Sequence, residues 1–208
     1  MIRAVLLLVA GLLFGFCGPA AAQTTLFLQD TGAGFTGYNL AGRYKVAGSI
    51  LTATVNTAGS GTDIQWTTTA GGATISFASR PFTGAITIAG TVTINIWTAE
   101  SSASANAGLR VKLSRLQADG TKTLFATLDK GTEMTTGAVA QNYTGAPTST
   151  AFVKGDRLVI EPFITNIGTM GGGFTCSFTY NRANSGATGD SFVTLTETLP
   201  LNAGVGFR

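Results

Sequence analysis

The stretch ITIAGTVTINIWTAESSASANAGLRVKLSRL, residues 86–116, alternates apolar and polar side chains on either side of a run of small residues. An alternation with a period of two is typical of a β-strand that covers a core with one face and meets water with the other. Gly90 interrupts the first half and predicts a bend or bulge there. The stretch therefore predicts a long antiparallel β pair, joined by a loop over residues 100–108. The apolar faces consist of Ile86, Ile88, Val92, Ile94 and Ile96, and then of Leu109, Val111 and Leu113.

The rest of the chain repeats strand signals between turn signals, without a convincing helical period. The segment from residue 26 to residue 78, broken by Gly71-Gly72, reads as a β-meander, and residues 131–150 read as a long surface loop. Pro162 cannot donate a ladder hydrogen bond, so it predicts a bulge or an edge strand. An all-β fold, either an antiparallel β-sandwich or a barrel, is the expected architecture. Further strands are expected at residues 26–29, 49–56, 64–68, 75–78, 124–128, 157–165, 174–180 and 192–199.

Residues 1–22 have the features of a signal peptide. Arg3 precedes an apolar run of 13 residues (4–16), Gly18-Pro19 breaks that run, and three alanines at 20–22 fit a signal-peptidase site. The run is shorter than the roughly 20 residues of a membrane-spanning helix. We expect cleavage after Ala22, export, and a single domain over residues 23–208. Lipid attachment at Cys17 is disfavoured because the bulky Phe16 precedes it.

Composition excludes several classes of chemistry. The sequence has no histidine, so neither a Ser-His-Asp triad nor a histidine-based zinc site can form. Without Arg3 the mature chain carries 12 basic and 10 acidic residues, scattered along its length, which does not suggest nucleic-acid binding. Cleavage leaves Cys176 as the remaining cysteine, at strand spacing with Phe174 and Phe178, and we interpret it as a packing residue. No cofactor and no metal are expected, and the protein is not expected to be an enzyme.

Three weaker signals each have a structural interpretation as well as a functional one. Gly32 to Gly37 matches G-x-G-x-x-G, but no helix follows it, so a flexible turn is favoured over a dinucleotide site. The basic pair Arg110 and Lys112 on one strand could attract an anion, although a solvated face explains it more simply. A pair of carboxylates could serve a glycosidase, but nothing in the sequence pairs the candidates, which sit where acids are ordinarily solvated. These acids are Glu100, Glu133, Asp156 and Glu161.

The two tryptophans are the candidate ligand-binding residues. Trp97 lies off the isoleucine-bearing face, on the side of Thr93 and Asn95, where an exposed ring could stack on a sugar. Trp66 could likewise either stack on a ligand or pack within the protein. Packing at a strand end is the simpler interpretation of both.

Residues 86–116, together with the strand entry Lys154-Gly155-Asp156-Arg157-Leu158, resemble the galactose-binding-like jelly-roll domain found at the C-terminus of X-Pro dipeptidyl-peptidase-like hydrolases. This resemblance implies a jelly-roll sandwich. Residues 56–72, 97–110 and 189–199 are similar to phage-type virion or prophage-encoded proteins. That second resemblance implies a structural or adsorption component of a particle, although an export signal is out of place in a virion protein.

Two functions are expected from these observations. The first is a structural or display β-sandwich, either a tail or capsid-associated virion component or an exported surface protein, whose partners are other copies of itself or virion proteins. The second is a secreted carbohydrate-binding module that recognises a surface glycan. Neither function requires a nucleic-acid partner, and neither requires a membrane-spanning segment after cleavage. The protein is accordingly expected outside the cell, or in a virion if it is phage-encoded.

Overall fold

The computed structural model of the chain describes residues 23–32, 38–42, 51–57, 64–66, 75–167, 174–180 and 190–202. The signal-like segment 1–22, residues 33–37 of the glycine-rich stretch and the Gly71-Gly72 break lie outside the described residues. No helix among the described residues is long and apolar enough to cross a membrane.

The described residues form strands throughout, with one short 3₁₀ helix, η1 (Ala103–Ala105). This confirms the all-β fold class. The strands are β1 (Thr24–Gly32), β2 (Asn39–Gly42), β3 (Leu51–Thr57), β4 (Ile64–Gln65), β5 (Phe77–Ser79), β6 (Ile86–Ile88), β7 (Val92–Glu100), β8 (Ala107–Leu116), β9 (Lys122–Glu133), β10 (Val139–Gly145), β11 (Thr150–Phe152), β12 (Arg157–Asn166), β13 (Phe174–Tyr180) and β14 (Phe192–Leu195).

Twelve strands hydrogen-bond in one sheet that folds over into two layers. The sheet order is β3-β13-β7-β14-β1-β2-β5-β12-β8-β9, with β10 on β7 and β4 on β12. All of these pairs are antiparallel except β2 with β5. The far edges approach each other where β10 lies beside β9, and the Tyr143 hydroxyl donates to the Leu128 carbonyl oxygen at 3.2 Å. The result is a sandwich that is nearly closed into a barrel.

The predicted pairing of the two strands within residues 86–116 is wrong. β7 pairs with β13, β14 and β10, whereas β8 pairs with β12 and β9, so the two strands lie in opposite layers. The connection over residues 101–106 is an arch that contains η1, with Asn106 in the left-handed region at φ 50°. Alternation predicts which face of each strand is buried, but it does not predict the neighbour of that strand.

The apolar faces of β7 and β8 meet in one core. Ile94 and Ile96 of β7 are fully buried with Leu109 and Val111 of β8 and Ile160 of β12, in a single cluster that extends from Leu26 to Leu199. A series of polar residues on either apolar face would place polar side chains inside this core. The side chains that alternation assigned to the core are therefore the ones that hold the two layers together.

Pro162 lies neither on an edge strand nor at a bulge, contrary to the prediction. β12 pairs along its whole length with β8, and Pro162 faces Val111 without a shift of register. On its other side β12 has two short partners, β5 at residues 159–160 and β4 at residues 163–164. Pro162 falls in the gap between these partners, where a residue without an N–H group is tolerated.

Two further expectations about the connections are corrected. The predicted surface loop 131–150 contains the end of β9 and all of β10. The predicted meander before residue 78 does not form, because β3 pairs with β13 and β4 with β12. Both regions find their hydrogen-bond partners far away in sequence, and local patterns carry no information on such partners.

Gly90 separates β6 from β7, as the sequence predicted for a bend. Its N–H group and that of Ala89 donate to Oε1 of Glu197, at 2.5 and 2.8 Å. Although burial raises the pKa of Glu197, these backbone donors lower it more, so the carboxylate is held ionised. A Cβ atom at residue 90 would overlap the Thr196 hydroxyl. The break therefore depends on glycine and ties β7 to the segment after β14.

We predict that Gly90→Ala destabilises the protein by about 1–3 kcal/mol, since the added methyl group must displace Thr196 and Glu197. Gly137→Ala is the matched control, because a Cβ atom at Gly137 meets nothing within 4 Å. Denaturant unfolding of both variants measures the difference. Equal midpoints for the two variants would show that the Gly90 contact is unimportant.

Candidate functional site

The four candidate acids are mostly buried, which the sequence did not predict. Glu100, Asp156 and Glu161 are 2%, 1% and 7% exposed, and Glu133 is half-buried. Glu100 is not in a loop but at the end of β7, on the face that points into the core. Since a buried carboxylate needs a partner, the role of each acid depends on the groups that it contacts.

Asp156 and Glu161 have structural partners. The Asp156 carboxylate accepts from Arg115 Nε at 2.7 Å and from the Val153 N–H group at 2.8 Å, which fastens the turn that enters β12. Glu161 accepts from Lys122 Nζ at 2.8 Å, between β12 and β9. Both carboxylates therefore have a cationic partner, Arg115 on the adjacent strand β8 and Lys122 on β9, one strand further along the sheet.

Glu100 and Glu133 both lie beside the start of β8. The Ala107 N–H group donates to Glu100 Oε2 at 3.3 Å, and Glu133 sits opposite Gly108, the next residue of β8. Oε1 of each side chain is buried without a hydrogen-bond partner among the described residues. We call these two residues the carboxyl pair.

The carboxyl pair favours retention of a proton. Burial raises the pKa of Glu100, and the charge and the hydrogen bond of Glu133 raise it further, while the Ala107 N–H group acts in the opposite direction. The resulting pKa is about 7. A carboxyl group buried near a second one ionises less readily, so Glu100 keeps its proton to a higher pH than a solvent-exposed glutamate.

Cys176 is the neighbour of the carboxyl pair on β13, in register with Glu100. Its side chain is fully buried, and burial together with the charge of Glu100 raises the pKa of the thiol to about 12. A thiol in such surroundings is unreactive while the core stays closed. These contacts agree with the interpretation of Cys176 as a packing residue.

The two tryptophans occupy different places. Trp66 is fully buried, packs against Phe178 with ring centroids 5.6 Å apart, and donates from Nε1 to the Cys176 carbonyl oxygen at 3.3 Å. Trp97 is half-buried on the outer face of β7, between Ala140 and Thr179 of the flanking strands. A ring without exposed area cannot meet a ligand, so Trp97 is the tryptophan that stays a candidate for stacking.

The basic residues of β8 are engaged within the protein. Arg110 Nε forms an ion pair with Asp129 Oδ1 at 2.5 Å, and Lys112 Nζ lies 4.3 Å from the centroid of the Phe163 ring. Both cations therefore contact groups on neighbouring strands. This placement agrees with a solvated strand face.

An open groove runs along β9, between residues 123–127 and the segment that carries Thr148 and Thr150. Its volume is about 360 Å³, and Leu124, 52% exposed, lies on its wall. The lining carries no charge and is rich in threonine hydroxyl groups. No sequence pattern indicates this groove, since it arises from segments that are adjacent only in the folded chain. We call it the β9 groove, and its lining residues are Thr123, Leu124, Phe125, Ala126, Thr127, Thr148 and Thr150.

The fold is shared with solved hydrolases. A CocE/NonD family hydrolase from Staphylococcus aureus superposes with a TM-score of 0.56 at 15% identity, over 87% of this chain and 37% of that one. An aminopeptidase from a marine sediment archaeon, Thaumarchaeota archaeon, gives 0.55 at 11% identity, over 84% and 36%. An α-amino acid ester hydrolase gives 0.56 at 15% identity, over 89% and 37%. This chain thus spans little more than a third of their length.

Other comparisons contribute less. No protein-family model and no curated protein matches the chain. A structure of infectious bursal disease virus superposes with a TM-score of 0.31, too low to support an argument.

The comparisons correct one expectation from the sequence. The protein was not expected to be an enzyme, but the solved structures that share its fold over most of its length are hydrolases and an aminopeptidase. The missing histidine excludes particular catalytic triads and does not separate this fold from enzymes. At 11–15% identity the likeness extends to the fold, which agrees with the resemblance to jelly-roll domains of hydrolases.

We predict that the stability of the wild-type protein relative to Glu100→Gln falls as pH rises from about 4.5 to about 7. The native pKa of Glu100 lies above its unfolded value, so the native state binds the extra proton, and its stabilising effect is lost as pH rises through that window. Glu100→Gln keeps the shape without the charge and should be the more stable protein at pH 8.

Denaturant midpoints at pH 5 and pH 8 measure this effect. Glu161→Gln is the control, because that acid is paired with Lys122 and lies outside the carboxyl pair. It should keep the pH dependence of the wild type in this window. If Glu100→Gln also kept the wild-type dependence, Glu100 would not be the titrating group.

Proposed function

We propose that the protein is an exported β-sandwich binding module. The observation that carries this proposal is the fold likeness, which covers 84–89% of this chain but 36–37% of the hydrolase chains. The same fold thus recurs as one part of larger proteins, which suits a unit that contributes a binding surface beside other functions. The features of residues 1–22 support export.

The β9 groove supports a neutral saccharide as the ligand. Sugars present hydroxyl groups along their edges and apolar C–H faces, and the groove offers threonine hydroxyl groups beside the exposed side chain of Leu124. Charged residues are missing from its lining, so it has no electrostatic attraction for ionic ligands. An open, shallow site of this kind fits a chain that passes across it rather than a small molecule that is enclosed.

We predict that neutral oligosaccharides bind this groove. Binding to a glycan array, followed by calorimetric titration of the strongest ligand, identifies the class. Leu124→Asp should weaken binding roughly tenfold or more, about 1.4 kcal/mol, because it puts a charge on the apolar wall. Val153→Asp is the matched control, since Val153 is equally exposed at 52% but lies outside the groove, and it should bind as the wild type does.

Trp97→Ala separates the two possible saccharide sites. Unchanged binding in this variant supports the groove, whereas its loss assigns the saccharide to the outer face of β7. No binding by the wild-type protein would overturn the saccharide proposal. Hydrolysis of the bound glycan during the titration would show that the protein is an enzyme and not only a binding module.

A virion component is the second candidate, favoured by the resemblance of residues 56–72, 97–110 and 189–199 to phage-type proteins. A nearly closed sandwich with few charged residues suits repeated packing of identical copies. Mass spectrometry of purified particles distinguishes the two candidates. The uncut chain, still carrying residues 1–22, would be found in particles if this candidate were correct, whereas an exported product would begin at Gln23.

A further inference from the structure

Three rows of uncharged side chains cross the outer face of the layer that contains β7. The first row consists of threonines, since the strand registers place Thr144 of β10, Thr93 of β7, Thr194 of β14 and Thr25 of β1 side by side. The hydroxyl oxygens of Thr25 and Thr194 are hydrogen-bonded at 3.0 Å. Because opposite residues on one face of a sheet are neighbours, the row is a continuous ladder of hydroxyl and methyl groups across four strands.

The second row combines amides with aromatic rings. Asn142, Asn95, Phe192 and Phe27 are aligned across the same four strands. The rings of Phe27 and Phe192 meet edge to face, with centroids 5.7 Å apart. This row therefore offers carbon surface at one end and amide groups at the other.

The third row places Trp97 between Ala140 of β10 and Thr179 of β13. Trp97 is diagonal to Phe192, so the rings of Phe27, Phe192 and Trp97 follow one another across β1, β14 and β7. All three rings are half-buried and keep exposed area. Since the Nε1 atom of Trp97 is buried, the exposed part of its indole is carbon surface. We call the three rows together the β7 face.

The outer face of the opposite layer is charged. The registers of β8, β9 and β12 place Arg110 opposite Asp129 and Lys112 opposite Glu161. The three rows of the β7 face contain no ionisable residue. A neutral partner therefore covers the β7 face without removing any charged group of these rows from water, whereas an ionic partner finds no opposite charge in them.

The size of the β7 face argues against a second copy of the chain as this partner. At about 4.8 Å between strands and about 3.3 Å per residue, the rows cover about 320 Å². A stable protein–protein interface needs about 800 Å² on each partner. The face is also the outside of a sheet, whose side chains stand at a similar height, so it suits a flat ligand better than an enclosed one.

Pyranose rings present apolar C–H faces to aromatic carbon and hydroxyl groups to amides and alcohols. A soluble oligosaccharide must lose conformational freedom to lie along the three rings. The chains in an insoluble polysaccharide are already ordered, so this entropic cost is absent. The chemistry and the shape of the β7 face thus favour an ordered polysaccharide surface.

We propose that the β7 face adsorbs to the surface of an insoluble neutral polysaccharide, with Phe27, Phe192 and Trp97 against the sugar C–H faces and the exposed Asn142 and Thr144 hydrogen-bonding to hydroxyl groups. This inference rests on the proposed saccharide-binding function but assigns a second site. The β7 face and the β9 groove share no residue. The groove takes a single soluble chain, and the β7 face takes an ordered surface.

Adsorption isotherms of the full chain on microcrystalline cellulose and on chitin test this assignment. The wild-type protein should adsorb to at least one of them, and about 1 M sodium chloride should not weaken adsorption, because no charge is involved. Trp97→Ala and Phe192→Ala should each weaken adsorption roughly tenfold or more, since each removes a ring from the contact. Two ring variants keep the test decisive if one of them fails to fold.

Phe163→Ala is the matched control. Phe163 is half-buried like Phe192 but lies on β12, opposite Arg110 on the charged outer face. This variant should adsorb as the wild type does. An equal loss in Phe163→Ala, unchanged adsorption in both ring variants, or no adsorption by the wild type would each overturn the assignment.

Failure of the β7 face can be told apart from failure of the β9 groove. Leu124→Asp should adsorb as the wild type does while losing soluble oligosaccharides. Soluble binding without adsorption would overturn the β7 face and leave the groove, and adsorption without soluble binding would do the reverse. Sedimentation velocity covers the other occupant, since a wild-type dimer that Trp97→Ala abolishes would assign the face to a second copy and overturn the polysaccharide.

Discussion

The constraint on which the structure depends is that β7 and β8 each have one apolar face and must bury it. The two strands follow each other in the chain but belong to opposite layers, so each apolar face covers the other across one core. At roughly 25 cal/mol per Å² of apolar surface, this burial is the main stabilising contribution available to a chain with a single described cysteine and no disulfide among the described residues. The arch over residues 101–106 carries the chain from the layer of β7 to the layer of β8.

The same constraint explains why the Glu100 carboxyl group is buried. The buried face of β7 continues beyond Ile96 through Thr98 to Glu100, so the period of two that places isoleucines in the core also carries a carboxyl group into it. Glu133, the last residue of β9, lies at the same end of the core. The interior thus combines an apolar centre with the buried carboxyl group of Glu100 at one end, beside Cys176.

The sequence predicted what depends on local periodicity. The all-β class, the buried isoleucine face of β7, the apolar face of β8 and the break at Gly90 follow from side-chain alternation and from the conformational freedom of glycine. The strand β13 agrees with the predicted bounds to the residue. Local patterns did not predict which strands pair, because a strand with one apolar face can be buried against any other such strand. The pairing is determined by the whole chain. For the same reason the predicted hairpin, the meander and the edge position of Pro162 were wrong.

The candidate sites were beyond sequence reasoning for a related reason. Glu100 and Glu133 are 33 positions apart in the sequence and meet through the β8 and β9 register, and the β9 groove is formed by residues 123–127 and 148–150. Trp66, a possible ligand contact for which packing was the simpler interpretation, is fully buried and packs against Phe178.

The most direct test of the account is the pairing of β7 and β8, measured by backbone nuclear Overhauser effects in the labelled protein. We expect cross-strand effects between Asn95 and both Asn142 and Phe192, and between Lys112 and both Thr127 and Glu161. Cross-strand effects that join β7 directly to β8 as neighbours would contradict it, because the two apolar faces would then lie side by side in one layer and could not close the core between them.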